Sequence, residues 1–403
     1  MEMKKMKSKI ISIALFLFTT ATVIGYPLLK DKTDNSIDTQ IDVLPQGDKA
    51  RIEVVFVLDT TGSMSGLIQA AKEKIWSIAS TMASAQSAPE IKMGLVAYRD
   101  RGDAYITRVV DLSDDLDSMY ATLMDFKAGG GGDSPESVNQ ALYDAVHEIS
   151  WSQDQDTYKV VFMVGDAPPH MDYQDDVKYP ITVKVAQEKG ILINTVQCGA
   201  DGNTRNQWQQ IAHLGGGEYF QVDQAGSAVA VATPYDKKLA DLSKKIEDTR
   251  LYFGNKVEKI KQQEKRAATD KLHALSSEPA LARRAEFNAS ASGKANMYGR
   301  NELVGGVSSG TIDLSKIDAD ELPDSMQGMP LEEQEKLIEE KAEQRKDLER
   351  EIELASQERN DYLKNKASEA GGYKDSLDEK IYSAVREQAA KKGFVYEADA
   401  PAY

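Results

Sequence analysis

Val54-Val55-Phe56-Val57-Leu58-Asp59-Thr60-Thr61-Gly62-Ser63-Met64 is an apolar run that stops at a carboxylate followed by hydroxyls. A Val/Phe/Leu run bounded by turn residues reads as a strand buried on both faces, the kind found in parallel sheets with helices on either side. Asp59, Thr61 and Ser63 alternate along an extended turn, so their oxygens can converge beyond the strand's carboxyl end, where open α/β sheets carry their sites. One carboxylate and two hydroxyls form an all-oxygen set, suited to a hard divalent ion such as Mg²⁺ rather than to zinc. The competing reading of the pentapeptide alone is an ordinary strand-to-helix turn with Asp or Ser capping the helix.

Downstream of this strand, helical spacing runs over 63–85, a strand over 91–100, an edge strand over 105–112 and a short helix around Leu116 to Met124. Glycines 129–132 break the pattern, and a helix follows over 137–151. A second fully apolar strand, 158–164, also stops at a carboxylate, Asp166. A loop with Pro168 and Pro169, a helix over 181–189, a strand over 191–197, a helix over 205–214, a strand over 218–222 and a helix from Ser227 complete the series. Strands and helices alternating at this spacing predict an α/β fold, a Rossmann-like, mostly parallel sheet wrapped by helices, over 50–234.

Residues 235–403 read as a helical, charged region. A helix is expected over 236–272, with Leu239, Leu242, Ile246, Leu251 and Phe253 packing it back on the sheet domain. The Gly/Ser/Asn/Ala-rich stretch 285–310 predicts little regular structure, and Asn288-Ala289-Ser290 is formally a glycosylation sequon. A charged helix over 330–366 carries a partial apolar stripe, Leu331, Ile338, Leu348, Ile352, Ala355 and Tyr362, which Arg345 and Arg359 interrupt too often for a coiled coil. After Gly371-Gly372 one more helix is expected over 377–390. A solvated helical hairpin packed on the sheet domain and a partner-binding arm both fit this composition.

The chain has 403 residues, with 41% hydrophobic and 28% charged, enough for two domains or one domain and a helical tail. A net charge of -16 argues against nucleic acid as a partner. The single cysteine, Cys198, excludes an intramolecular disulfide and lies in an apolar run, as a buried thiol would. Lys4, Lys5, Lys7 and Lys9 precede the apolar run 10–25, so residues 1–25 read as a signal peptide or an uncleaved anchor and 26–49 as a polar linker. Export to the periplasm, the cell surface or the medium follows, with membrane contact only through an uncleaved leader.

Asp59-Thr60-Thr61-Gly62-Ser63 resembles the Asp-x-Ser-x-Ser signature of the von Willebrand factor A (VWA) domain, the first segment of its metal-ion-dependent adhesion site (MIDAS), with Thr61 in place of the first serine. Asp133-Ser134-Pro135-Glu136, after the glycine run, is similar to the turn of the integrin β subunit's A-like domain, and Val164-Gly165-Asp166 matches the family's last aspartate. The resemblance implies a metal set of Asp59, Thr61, Ser63, Glu136 and Asp166 around one Mg²⁺. Thr61 and Ser63 would ligate directly, Glu136 would supply charge, and Asp59 and Asp166 would hold coordinated waters. An open coordination position would accept an acidic side chain from a protein partner, so the family implies reversible binding at the cell envelope rather than catalysis. Asp100, Asp133 and Glu136 would by the same likeness share a second ion, Ca²⁺, although Gly131 stands where the integrin pattern has asparagine. Against this second site stands a plainer reading in which Asp100 pairs with Arg99 or Arg101 and Asp133 caps a helix.

Arg101-Gly102-Asp103 reads as a turn, with Asp103 rimming the metal face, and loop residue His170 is expected in solvent. Two rivals remain from the sequence. A hydrolase using metal-activated water has carboxylates but lacks a His-x-x-x-His cluster. A structural envelope module would use the helices and leave the site vacant.

Overall fold

The computed structural model describes residues 50–132, 134–223, 232–369 and 377–396. The leader and linker, Asp133, Gly371-Gly372 and the start of the helix expected from Ser227 lie outside the described residues. Six strands form one sheet: β1 (Arg51–Asp59), β2 (Glu90–Tyr98), β3 (Thr107–Ser113), β4 (Tyr158–Gly165), β5 (Ile191–Cys198) and β6 (Gly216–Val222), in the order β3-β2-β1-β4-β5-β6. All neighbours are parallel except β2 and the edge strand β3.

The unbroken apolar run of β1 has a direct cause in this order. β1 is central, so Val54, Phe56 and Leu58 enter one core while Val55 and Val57 enter another on the opposite face. Helices α1 (Ser65–Ala83) and α2 (Leu116–Asp125) cover the first face; α3 (Val138–His147), α4 (Tyr179–Glu188) and α5 (Gly202–Leu214) cover the second. Asp115 and Asp201 start α2 and α5 by accepting the N–H groups of Ser118 and Thr204. Cys198 is buried among apolar residues as expected.

The register levels the carboxyl ends of the three central strands: Asp59 lies opposite Tyr98 on β2, and Leu58 opposite Val164 on β4. Chain order along the sheet reverses at β1. The crevice above it is therefore the place where an open α/β sheet accepts a ligand.

The region after 235 forms a further helical layer against α1 and α2. The helix expected over 236–272 is two helices, α6 (Asp236–Glu247) and α7 (Lys256–Leu275). The break arises because Leu251 and Phe253 pack in a separate cluster around Leu303, Leu322 and Ile338, and because Asn255 and Glu258 form a capping box that starts α7 afresh.

The stretch expected to be weakly structured is also helical: α8 (Glu278–Ala289), α9 (Ala291–Tyr298) and α10 (Leu303–Ser308). Ser277, Ser290 and Glu302 accept the first N–H groups of these helices. Small residues permit close approach: Phe287 lies against Trp76 of α1 with ring centroids 5.7 Å apart, and a side chain at Gly293 would collide with the Phe287 carbonyl. Packing, not propensity, makes these helices. Asn288 of the sequon is itself buried.

Helix α11 (Leu331–Glu369) has 39 residues, about 58 Å at 1.5 Å per residue. The two arginines that interrupt its apolar stripe are its anchors. Arg345 donates to both Glu302 oxygens (2.8 and 3.0 Å) and to Thr249, while Arg359 reaches Asp236 (2.7 Å) and Glu286 (3.3 Å). Helix α12 (Leu377–Ala390) returns to the sheet, where the Gln388 amide exchanges hydrogen bonds with Asn194 of β5 and accepts from Tyr158 of β4. Among the described residues no helix is long and apolar enough to cross a membrane.

Candidate metal centre

Asp59, the last residue of β1, is completely buried. Its Oδ1 accepts from the Thr61 N–H (2.9 Å) and the Thr61 hydroxyl (2.7 Å), and its Oδ2 has no partner. Thr61 Oγ1 lies 3.3 Å from Ser63 Oγ. The intervening Thr60 is tied to β2 and the following turn: its N–H and hydroxyl both donate to Tyr98 O, and Tyr105 OH lies 2.7 Å from Thr60 Oγ1.

The glycine run packs over this turn. Gly62 N–H donates to Gly130 O and Gly129 N–H to Thr60 O. Gly130 and Gly131 both take positive φ (76° and 77°), and a Cβ at Gly130 would collide with the Asp103 carboxylate, which accepts from Gly131 N–H at 3.1 Å. This close approach requires glycine. Glu136 is held next to the loop after β4, donating its N–H to Pro168 O (2.9 Å) while its carbonyl accepts from His170 N–H (3.1 Å). Its Oε2 is buried without a partner.

Thr61, Ser63, Gly130, Gly131, Glu136 and Asp166 line one cavity of about 460 Å³, with Asp59 beneath it. Tyr98 OH lies deeper, in the space a Gly165 side chain would occupy, and it too is unpartnered. Burial raises the Asp59 carboxyl to about 7; the Thr61 hydrogen bonds oppose this and the Asp166 charge adds to it. Burial, then the charges of Asp59, Asp100, Asp103 and Asp166, raise Glu136 to about 9.

Both groups thus hold protons more tightly in the folded chain than at their ordinary values of 3.8 and 4.5. The unfolded chain binds fewer protons between these limits, so stability is lost as pH rises. In EDTA the melting temperature is expected to fall from pH 5 to pH 9, and Mg²⁺ to flatten the fall. A melting curve in EDTA that is indifferent to pH over this range would contradict the charge arrangement.

Of the residues expected at the first ion, Thr61, Ser63, Glu136 and Asp166 face one cavity and Asp59 lies under it. Asp100 is turned to other partners: Oδ1 accepts from Ser137 Oγ (2.7 Å), Oδ2 from Tyr173 OH (2.8 Å), and His170 Nε2 lies 3.4 Å away. The arginine pairing expected for it does not form, because Arg99 donates to Thr60 O and Lys127 O while Arg101 binds Asp175 and Asp176. His170 is buried, not solvated; it is stacked on Tyr173 with centroids 3.9 Å apart and bonded to Asp172. Among the described residues no group of three or more His, Cys, Asp or Glu is arranged to hold a metal by itself. Sequence reading gave Tyr98 no role and offered Arg99 only as a partner for Asp100, although their position at the end of the strand beside β1 was a usable signal.

A model of the von Willebrand factor A domain matches residues 53–233. The chain carries a VWA domain. Such domains are in general interaction modules. The chain is 25% identical over 123 residues to a putative ariadne-like RING finger protein of Acanthamoeba polyphaga mimivirus and 27% identical over 121 residues to an alpha-protein kinase of Dictyostelium discoideum. Each match covers 30% of this chain, and the chain spans only 12% and 19% of those two relatives. Among solved structures, proximal thread matrix protein 1 of the mussel byssus aligns with TM-score 0.34 and 15% identity over 43% of this chain and 42% of its own. The SpRpn10 VWA domain aligns with TM-score 0.33 and 12% identity, over 43% of this chain and 89% of its own.

Proposed function

We propose that this VWA protein is an exported, metal-dependent protein-binding module that holds one Mg²⁺ at a MIDAS-type centre and through it captures an acidic side chain of a partner at the cell envelope. The observation that carries the reading is a pair of buried carboxylate oxygens without partners, Asp59 Oδ2 and Glu136 Oε2, beside two hydroxyls in an open cavity. A buried carboxylate oxygen left unpaired is costly, and a divalent cation is the ligand that satisfies several at once. Thr61, Ser63 and Glu136 would hold the ion, with Asp59 and Asp166 orienting its water. When bound, the ion supplies an electrophile toward an incoming carboxylate. The chain's own contribution is orientation: the Thr61 hydrogen bonds direct Asp59, and the Pro168 and His170 backbone contacts direct Glu136. Ca²⁺ at a second site would compete with the Ser137 and Tyr173 hydroxyls for Asp100, and the proposal is confined to the first ion. Export rests on the basic and apolar leader.

Calorimetric titration of the full chain with MgCl₂ tests the metal. Asp59→Ala and Glu136→Ala are each expected to abolish the binding heat while keeping the circular dichroism of the wild type. Equal binding in all three proteins would remove the metal from the reading. Partner capture from envelope extracts is expected to be lost in EDTA and regained with Mg²⁺.

A further inference from the structure

We infer that Arg99 is the positioning residue of this centre, joining through its guanidinium the Thr60 turn and the glycine loop that packs over it; the inference rests on the metal reading above. Arg99 follows β2 and is half-buried. Its Nε donates to Thr60 O (3.1 Å) on the first metal loop and its Nη2 to Lys127 O (2.7 Å) at the start of the glycine loop. The guanidinium lies over the Tyr105 ring, 4.6 Å from its centroid, and close to Gly129, where a Cβ would sit 3.4 Å from Nη2. The Arg99 backbone reaches the third segment, its carbonyl accepting from Ser137 N–H (3.3 Å) next to Glu136. One residue therefore touches the Thr60 turn, the glycine loop and the Ser137 end of the Glu136 turn, and the Asp166 loop forms the remaining wall of the cavity.

The planar peptide transmits its effect. Carbonyl and N–H of a trans peptide point in opposite directions. Holding Thr60 O against Arg99 therefore turns the Thr61 N–H of the same unit toward Asp59 Oδ1, which it meets at 2.9 Å. That bond, with the Thr61 hydroxyl, occupies Oδ1 and leaves Oδ2 as the unpartnered oxygen. Without Arg99 the Thr60–Thr61 unit keeps only the Gly129 N–H as a constraint on its carbonyl.

Charge and positioning predict opposite signs. Removing a cation near a bound divalent ion should tighten binding on Coulombic grounds alone. Loss of a positioning group should weaken it, by about 10–100-fold as for other groups that orient metal ligands. Mg²⁺ affinity is measured by calorimetry on the full chain for wild type, Arg99→Met and Arg99→Lys, with thermal melts in EDTA to compare folding. Arg99→Met is expected to bind more weakly, and Arg99→Lys to fall between, since one ammonium cannot span both carbonyls. If Arg99→Met does not melt cooperatively, Arg99→Lys alone decides, with binding equal to wild type counting against the inference. Wild-type binding matched or exceeded by Arg99→Met overturns the inference alone. A wild-type chain that takes up no Mg²⁺ overturns the metal reading beneath it.

Discussion

Arg284→Leu is expected to destabilise the protein by about 3–5 kcal/mol, the usual cost of removing one partner from a buried ion pair. Arg284 is completely buried and donates to both Asp117 oxygens (2.7 and 2.5 Å), to Ser243 Oγ (2.9 Å) and to Glu247. Thr269 donates to the same Asp117, and His273 Nε2 lies 3.0 Å from Glu247. Four helices, α2, α6, α7 and α8, are thus joined through one guanidinium and its two carboxylate partners. Its charge holds Asp117 well below the usual carboxylate range despite burial. Without it, Asp117 loses its guanidinium partner and Glu247 keeps only that of Arg250 (3.2 Å) in a buried interface. Urea denaturation of wild type and variant measures the loss. The deficit is expected to be larger at pH 8 than at pH 4, where Asp117 and Glu247 can escape by taking up protons. A deficit below about 1 kcal/mol would mean that packing alone holds the helical layer to α2.

Glu136→Gln should move stability and binding in opposite directions. In the metal-free chain at pH 8 the Glu136 carboxyl, raised to about 9, resists an ionisation that the unfolded chain makes freely. The amide cannot ionise, so the variant is expected to gain about 1–2 kcal/mol in EDTA, a figure discounted for solvent screening. The same change removes an anionic oxygen from the cavity and is expected to abolish Mg²⁺ uptake. Thermal melts at pH 8 with and without Mg²⁺ read both effects: the variant above wild type in EDTA, and unmoved by the ion. A variant that melts below wild type in EDTA would show that Glu136 serves the fold instead.

The sheet was legible because its strands lie between two helical layers, and burial on both faces writes itself as unbroken runs such as Val54–Leu58 and Tyr158–Val164. Asp59 and Asp166 were legible because those runs end at carboxylates. The further helical layer was not. Residues 285–310 have poor helix propensity and fold because Ser and Glu caps and close packing on Trp76 compensate. Arg345 and Arg359 looked like flaws in a stripe, since a sequence does not reveal that Glu302 and Asp236 wait opposite them. His170 misled for a similar reason: its own loop folds back on it, with Tyr173 stacked on the ring and Asp172 bonded to it, and Asp100 of another loop lies 3.4 Å away.

The Gln388 contact bears on how the molecule is made. Tyr158 and Gln388 are 230 positions apart, yet their side chains share a buried hydrogen bond on the face of the sheet. A nascent chain leaving the ribosome would complete all six strands long before the helix that covers β4 and β5 emerges. During that interval an apolar surface stands open, so the growing polypeptide has an obligate waiting period in which holding chaperones would find their substrate.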